Sequence, residues 1–358
     1  MRASACNGQD HERTHDRVRC ETARRANSHS GQRNSEPTAE HLDAARSVIR
    51  RCEILETVET VAHEPPPDLQ SSYEIGPDDA AGFSRNGHAL VRGLASAEEV
   101  CAYRPHLETA AARANRERRP IGERDTYAAA FLQTCNLWRT DDVVRRFVFA
   151  PRFAKAAADL LGVDGVRLYH DQALFKEPGG GHTPWHQDQF YWPLATEKTI
   201  TMWMPLADLD PRVGSMTFAT GSHLAGSLRG HAISDESEAA FDAIVRAEAM
   251  AQHTYGAIRA GDATFHAGWT LHRAGPNPTA HMRPAMTVIY FADGTRVSEP
   301  ESIYQEFDLA VWLPGLRTGD VAASPINPLL WPAEHHKNAQ SGRILRGERE
   351  TSGHPGGD

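Results

Sequence analysis

Thr183-Pro184-Trp185-His186-Gln187-Asp188, answered far downstream by Leu271-His272-Arg273 and then by Arg283, is the stretch on which the reading of this chain turns. Two imidazoles and one carboxylate can occupy one face of a metal octahedron and leave the other face open for chemistry. The bare His-x-Asp pattern carries little weight, because the chain has 19 histidines and His41-Leu42-Asp43 repeats it in a polar N-terminal stretch. Context separates the two copies. His186 and Asp188 follow a flexible Gly179-Gly180-Gly181 loop and sit beside a predicted strand, where alternate residues project to one side and can reach one ion. His266 and His272 are both candidates for the third donor. His272 is favoured because Arg283 follows it, after a turn built from Ala274-Gly275-Pro276-Asn277-Pro278. A hairpin of that kind would set the arginine beside the histidine on adjacent strands. Arg283 stands next to Pro284 at the entrance to an apolar strand. A charge drawn into a core needs a partner, and an anionic ligand supplies one. His266 is left as a structural group or one that supports the donors.

The bulk composition narrows the field. A chain of 358 residues exceeds the size at which one core usually suffices, although barrels run longer as one domain. Its 40% hydrophobic content allows a sizeable core once a polar tail is set aside. A net charge of −9 argues against a nucleic-acid partner, because phosphate binding needs clustered lysine and arginine. Cys6, Cys20, Cys52, Cys101 and Cys135 form no C-x-x-C pair, which suits a reduced compartment, with Cys101 and Cys135 packed as small apolar groups. No apolar run approaches the roughly 18 residues of a membrane span. The start, Met1-Arg2-Ala3-Ser4-Ala5, lacks the apolar core of a secretory signal. A soluble, cytoplasmic protein is expected.

Residues 1–72 read as a disordered extension and linker, poor in large apolar side chains, with a short helix over 42–60 ended by Pro65-Pro66-Pro67. Residues 73–334 form the folded unit, and 335–358 a flexible polar tail. Helices are expected from Pro77, from the Ser96-Ala97-Glu98-Glu99 capping box toward Arg116, from Thr140, from Ala150-Pro151, and over 234–252. Strands are expected near 87–94, 166–175, 199–206, 216–219, 263–265 and 285–291. Helices followed by many short strands predict an α+β protein centred on a β-sandwich or barrel.

Several motifs together resemble the phytanoyl-CoA dioxygenase family across roughly residues 74–333. They are Thr183 to Asp188, Gly221-Ser222-His223, Gly261-Asp262-Ala263, Leu271-His272-Arg273 to Asn277 with Arg283, and His170-Asp171-Gln172-Ala173-Leu174-Phe175-Lys176. The resemblance implies a double-stranded β-helix of jelly-roll or cupin-like form with flanking helices. It also implies an enzyme using iron(II), 2-oxoglutarate and O2. It further implies that His186, Asp188 and His272 bind the iron and Arg283 the distal carboxylate of 2-oxoglutarate. By the same resemblance Gln172 and Lys176, four residues apart on one strand face, point inward near the cosubstrate, and Trp203 lines its pocket. Tyr191 and Trp192 either wall the substrate pocket or cover the sheet. Asn136 either reaches that pocket or caps a loop. Halogenating relatives of this chemistry lack the carboxylate ligand; Asp188 is kept here, so hydroxylation or another C–H abstraction is favoured.

Two rival readings stand beside this one. The first is a cupin-like isomerase or hydrolase using zinc or another divalent ion, against which Arg283 and the motif spacing speak. The second is a non-catalytic β-barrel binding module, which would be expected to have lost a ligand. The partner expected is a small-molecule substrate, to a monomer or homodimer, with neither membrane nor nucleic acid involved.

Overall fold

The structure, a computed structural model, describes residues 66–210, 213–228 and 230–332. The expectations for residues 1–65 and 335–358 lie outside the described residues. Within them, the helices start where capping chemistry places them. α1 (Pro77–Asn86) has proline at its first turn, two acids beside it, and Gly87 in the left-handed region at its end. α2 (Ala97–Ala114) carries the reciprocal Ser96/Glu99 capping box. A short α3 (Thr126–Ala130) and α4 (Asp142–Val148) are capped by Asp125 and Asp141. α5 (Pro151–Leu161) buries almost its whole length.

Seven strands build the larger sheet. They are β1 (His88–Val91), β2 (Leu132–Cys135), β3 (Val166–Phe175), β5 (Thr199–Pro205), β8 (Ala263–Ala267), β10 (Ala285–Ala292) and β11 (Leu329–Trp331). The order is β1-β8-β5-β10-β3-β11, with β2 also on β3 and every pairing antiparallel. The smaller sheet runs β4 (Thr183–His186), β9 (His272–Ala274), β6 (Met216–Ala219), β7 (Gln252–Thr254). α6 (Asp235–Ala247) and α7 (Ile303–Trp312) complete the set.

Strand alternation assigns the faces. Ile200, Met202 and Met204 of β5 join Met286 and Val288 of β10 and Phe153, Ala157 and Leu161 of α5 in the main core. The intervening residues, Thr201 and Trp203, point the other way, into a cavity. The smaller sheet repeats the scheme: Trp185, Ala219 and Leu271 pack against Phe241 and Val245 of α6, which leaves His186 and His272 on the opposite face. The architecture is thus two antiparallel sheets with helices covering their outer sides.

The expected helix over 234–252 stops at Ala247, because Ala249 adopts a left-handed backbone and Gln252 begins an edge strand. The short strands β2, β4, β7 and β11, the short helix α3 and helix α7 had not been anticipated. Cys101, expected to pack inside, is exposed. Two of the family-like motifs prove to be joints. A Cβ on Gly261 would lie 2.0 Å from the Ala95 carbonyl, and its φ is +91°; neighbouring Asp262 accepts from the Gly93 and Arg259 amides. Similarly, a Cβ on Gly87 would meet the His223 ring at 2.3 Å, while Ser222 accepts from the Leu271 amide beside His272. Among the described residues no helix is long and apolar enough to cross a membrane.

Asp171 ties β3 to the loop before α4. It is fully buried, and its Oδ1 accepts from the Leu137 amide at 3.2 Å while Oδ2 has no partner. Burial pushes this carboxyl up to about 7, against the pull of backbone hydrogen bonds. A raised acid binds its proton more tightly folded than unfolded, so its stabilising contribution is complete below the ordinary carboxylate range and is lost as pH rises through about 7. The loss is on the order of 1.4 kcal/mol per unit by which the carboxyl sits above its ordinary value. Urea midpoints should therefore fall from pH 5 to pH 8, and fall less in Asp171→Asn; an equal fall in both proteins would contradict this account.

Candidate metal centre and ligand cavity

His186, Asp188 and His272 converge, their potential donor atoms all within 4.8 Å of one another. His186 ends β4 and lies opposite His272 in the β4–β9 register. Asp188 is not on the strand: it opens a single 3-10 turn, Asp188–Tyr191, that folds its carboxylate back to the same point. The two side chains converge as expected, but through this turn and not through strand alternation. Asp188 Oδ1 lies 3.4 Å from His186 Nε2 and 3.7 Å from His272 Nε2.

The surroundings orient each donor. His186 Nδ1 sits 2.8 Å from the Pro184 carbonyl and His272 Nδ1 2.9 Å from that of Thr270. A carbonyl can only accept, so both Nδ1 atoms carry hydrogen and, in the neutral ring, both Nε2 lone pairs face the shared point. Burial, then the neighbouring His186 and His266, hold His272 well below the usual histidine range and therefore neutral. For Asp188, burial pushes upward, but its interactions with His272, His186 and His266 outweigh it and hold the carboxyl well below its usual range. Asp188 Oδ2 is occupied elsewhere: Thr201 Oγ1 donates to it at 2.9 Å and His266 Nε2 lies 3.0 Å away. One carboxylate oxygen is anchored and the other is left for the histidine pair. Neutral imidazoles and an ionised carboxylate are the forms that ligate a divalent cation.

Arg283 approaches from the other sheet. The predicted hairpin beside His272 does not form. After β9 the chain leaves the smaller sheet, and Asn277 Nδ2 donates to the Lys176, Glu177 and His281 carbonyls, fastening the crossing to the end of β3. Arg283 then pairs antiparallel with Lys176. Its guanidinium is buried, 5.2 Å from the Trp203 ring centre, with Nη1 3.4 Å from the Leu174 carbonyl and Nε without a partner. Burial lowers its pKa to about 10, which leaves it a cation at neutral pH.

A cavity of about 490 Å³ joins these groups, lined by His186, Asp188, His272, Arg283, Gln172 and Trp203 among others. Register explains the neighbours: Thr287 lies opposite both Gln172 and Trp203, so the three form one row across the sheet. The next row is His170, Ile289, Thr201 and His266. Lys176 is the exception among the residues expected here. Its ammonium donates to the Gly181 carbonyl beside the Phe131 ring and does not reach the cavity wall. Burial, with Arg283 adding to it, lowers its pKa to about 7. Tyr191 and Trp192 line the cavity, and so does half-buried Cys135, which had been expected in the core. Asn136 turns away to accept from the Trp138 indole. Thr201, His170 and Asp308 were missed. Thr-Ile-Thr-Met-Trp-Met over 199–204 shows an alternation that would have placed Thr201 beside Trp203, whereas nothing local marks Asp308.

A profile described as phytanoyl-CoA dioxygenase (PhyH) matches residues 83–285. A curated relative, a probable alpha-ketoglutarate-dependent hypophosphite dioxygenase of Stutzerimonas stutzeri, is 28% identical over 157 residues, which is 42% of this chain. That match spans 54% of the relative, about half its length. Among solved structures, the non-haem alpha-ketoglutarate-dependent epimerase SnoN from nogalamycin biosynthesis is 26% identical with a TM-score of 0.57, covering 71% of this chain and 97% of its own. The carbocyclase SnoK from the same biosynthesis, 24% identical, shares the fold with a TM-score of 0.61 over 74% of this chain and 99% of its own.

Proposed function

This chain belongs to the phytanoyl-CoA dioxygenase family, and we propose that it is an iron(II)- and 2-oxoglutarate-dependent dioxygenase that oxidises a small organic substrate at a C–H bond. The two sheets enclosing the cavity are read as a double-stranded β-helix. The observation that carries the reading is the pairing of a two-histidine, one-carboxylate donor set with a buried arginine in one cavity. The donor chemistry fits a ferrous ion with open positions. The unpartnered Nε of Arg283 fits a carboxylate.

In this reading His186 Nε2, Asp188 Oδ1 and His272 Nε2 hold the metal, and Arg283 holds the distal carboxylate of 2-oxoglutarate. Bound there, iron and 2-oxoglutarate supply the oxidising power, with O2 consumed and succinate and CO2 released. The chain's own contribution is positional. Pro184 and Thr270 fix the imidazole tautomers. Thr201 and His266 hold the outer carboxylate oxygen so that the inner one stays turned toward the histidines. Trp203 and Leu174 present an apolar wall beside the guanidinium, excluding water from its ion pair and so strengthening it. The test is a substrate screen on the iron-loaded protein, reading succinate release against oxygen uptake. Stoichiometric coupling supports the proposal; product formation without either would favour a cupin-like divalent-metal enzyme instead.

A further inference from the structure

Away from Arg283 the cavity changes character. α7 turns Tyr304, Asp308 and Trp312, spaced one helical turn apart, toward it together with Phe307, and Tyr191 and Trp192 face them from the 3-10 turn after β4. In this aromatic wall sits one carboxylate. Asp308 is 6% exposed, and its Oδ2 accepts from the Tyr169 hydroxyl at 2.9 Å, with the Trp312 indole as a second donor. Among the described residues no lysine or arginine pairs with it. The nearby basic side chain offers no charge either: His170, 3% exposed and 4.6 Å from the Trp312 ring, is lowered to about 4 by burial and is neutral. Its Nδ1 has no partner.

We propose that the substrate carries a cationic nitrogen, an ammonium or protonated amine on an apolar body, which seats on Asp308 within this aromatic wall. The inference rests on the oxygenase reading in taking the cavity as the substrate site, and it narrows the class of molecule that enters. A buried carboxylate without a counter-ion is costly, and burial raises Asp308 to about 7. An arriving cation offsets that cost and keeps the carboxylate ionised. Ring faces add cation–π attraction. The cavity is then polarised along the strands, with the cation Arg283 at the start of β10 for the dicarboxylate and an anion beside Tyr169 and His170 for the substrate. Anionic substrates, such as an oxyanion or a nucleotide-linked acyl group, meet repulsion at Asp308.

The test titrates three matched probes onto the anaerobic iron(II)–2-oxoglutarate enzyme, following tryptophan fluorescence: 1-naphthylmethylammonium, the uncharged 1-naphthylmethanol and the anionic 1-naphthylacetate. The ammonium should bind about tenfold or more tightly than the alcohol, and the acetate most weakly. Asp308→Asn should bring ammonium and alcohol to within about twofold of each other. Equal or tighter binding of the alcohol or acetate by the parent protein overturns the proposal, as does an ammonium preference that survives Asp308→Asn. Should that variant fail to fold, judged by loss of 2-oxoglutarate binding, the order of the three probes on the parent decides alone. If the parent itself does not bind 2-oxoglutarate, the oxygenase reading fails, and the probe order on that protein still tests the cation site.

Discussion

Asp188→Ala should lose at least about 10³-fold in coupled succinate release, well beyond the 10–100-fold typical of removing a group that only supports a ligand. The carboxylate does two things that alanine cannot. It supplies the anionic donor at Oδ1, 3.4 and 3.7 Å from the two Nε2 atoms. It also fixes His266, 3.0 Å from its Oδ2, in a pocket where three imidazoles crowd together, His272 lying 4.0 Å from His186 and 4.2 Å from His266 between ring centres. Without it the divalent ion meets only neutral ligands, so metal affinity falls along with turnover. Thr201→Val provides the contrast. It removes one of the two contacts that steady Oδ2, leaving that of His266, and its loss should stay in the 10–100-fold range with metal still bound. A variant lacking Asp188 that binds iron and releases succinate like the parent would refute the ligand assignment.

Arg283→Gln should raise the KM for 2-oxoglutarate by about 100-fold or more, the effect of removing one partner of a buried charge pair worth roughly 3 kcal/mol. The guanidinium is well placed to grip a carboxylate bidentately: buried, flanked by the Trp203 ring and with Nε free of other partners. Glutamine is shorter, uncharged and cannot present two parallel donors. Lys176→Met is the informative neighbour. Although its backbone pairs with Arg283, its ammonium is engaged with Gly181, so its KM effect should be under about tenfold. Steady-state titration of 2-oxoglutarate against the three proteins separates the two cations. A KM for Arg283→Gln within threefold of the parent would move the cosubstrate elsewhere.

The donor set was legible in the sequence because its chemistry is rare in combination, even though the local geometry differed from that expected. Asp188 reaches the metal point from a 3-10 turn, and no strand periodicity encodes that turn. Arg283 was found through its place after His272 and at the entrance to an apolar strand. The path that brings it in was misread, since the crossing depends on Asn277 binding the distant carbonyls of Lys176 and Glu177. Gln172 and Trp203 were placed by the family resemblance, and period-two alternation from Trp203 would have added Thr201. Lys176 shows where parity stops: it lies just past the end of β3, and its flexible side chain finds a carbonyl off the cavity. Asp308 could not have been read at all. It reaches the cavity only because α7 packs beside the 3-10 turn after β4, a long-range contact with no sequence-local signal.

An anomalous-difference map collected at the iron edge from crystals grown with iron(II) and 2-oxoglutarate, without oxygen, tests the central claim most directly. A single strong peak is expected within about 2.0–2.2 Å of His186 Nε2, Asp188 Oδ1 and His272 Nε2, with the far carboxylate of 2-oxoglutarate on Arg283. Iron bound at another site, or a peak whose ligands omit any one of those three side chains, would contradict it.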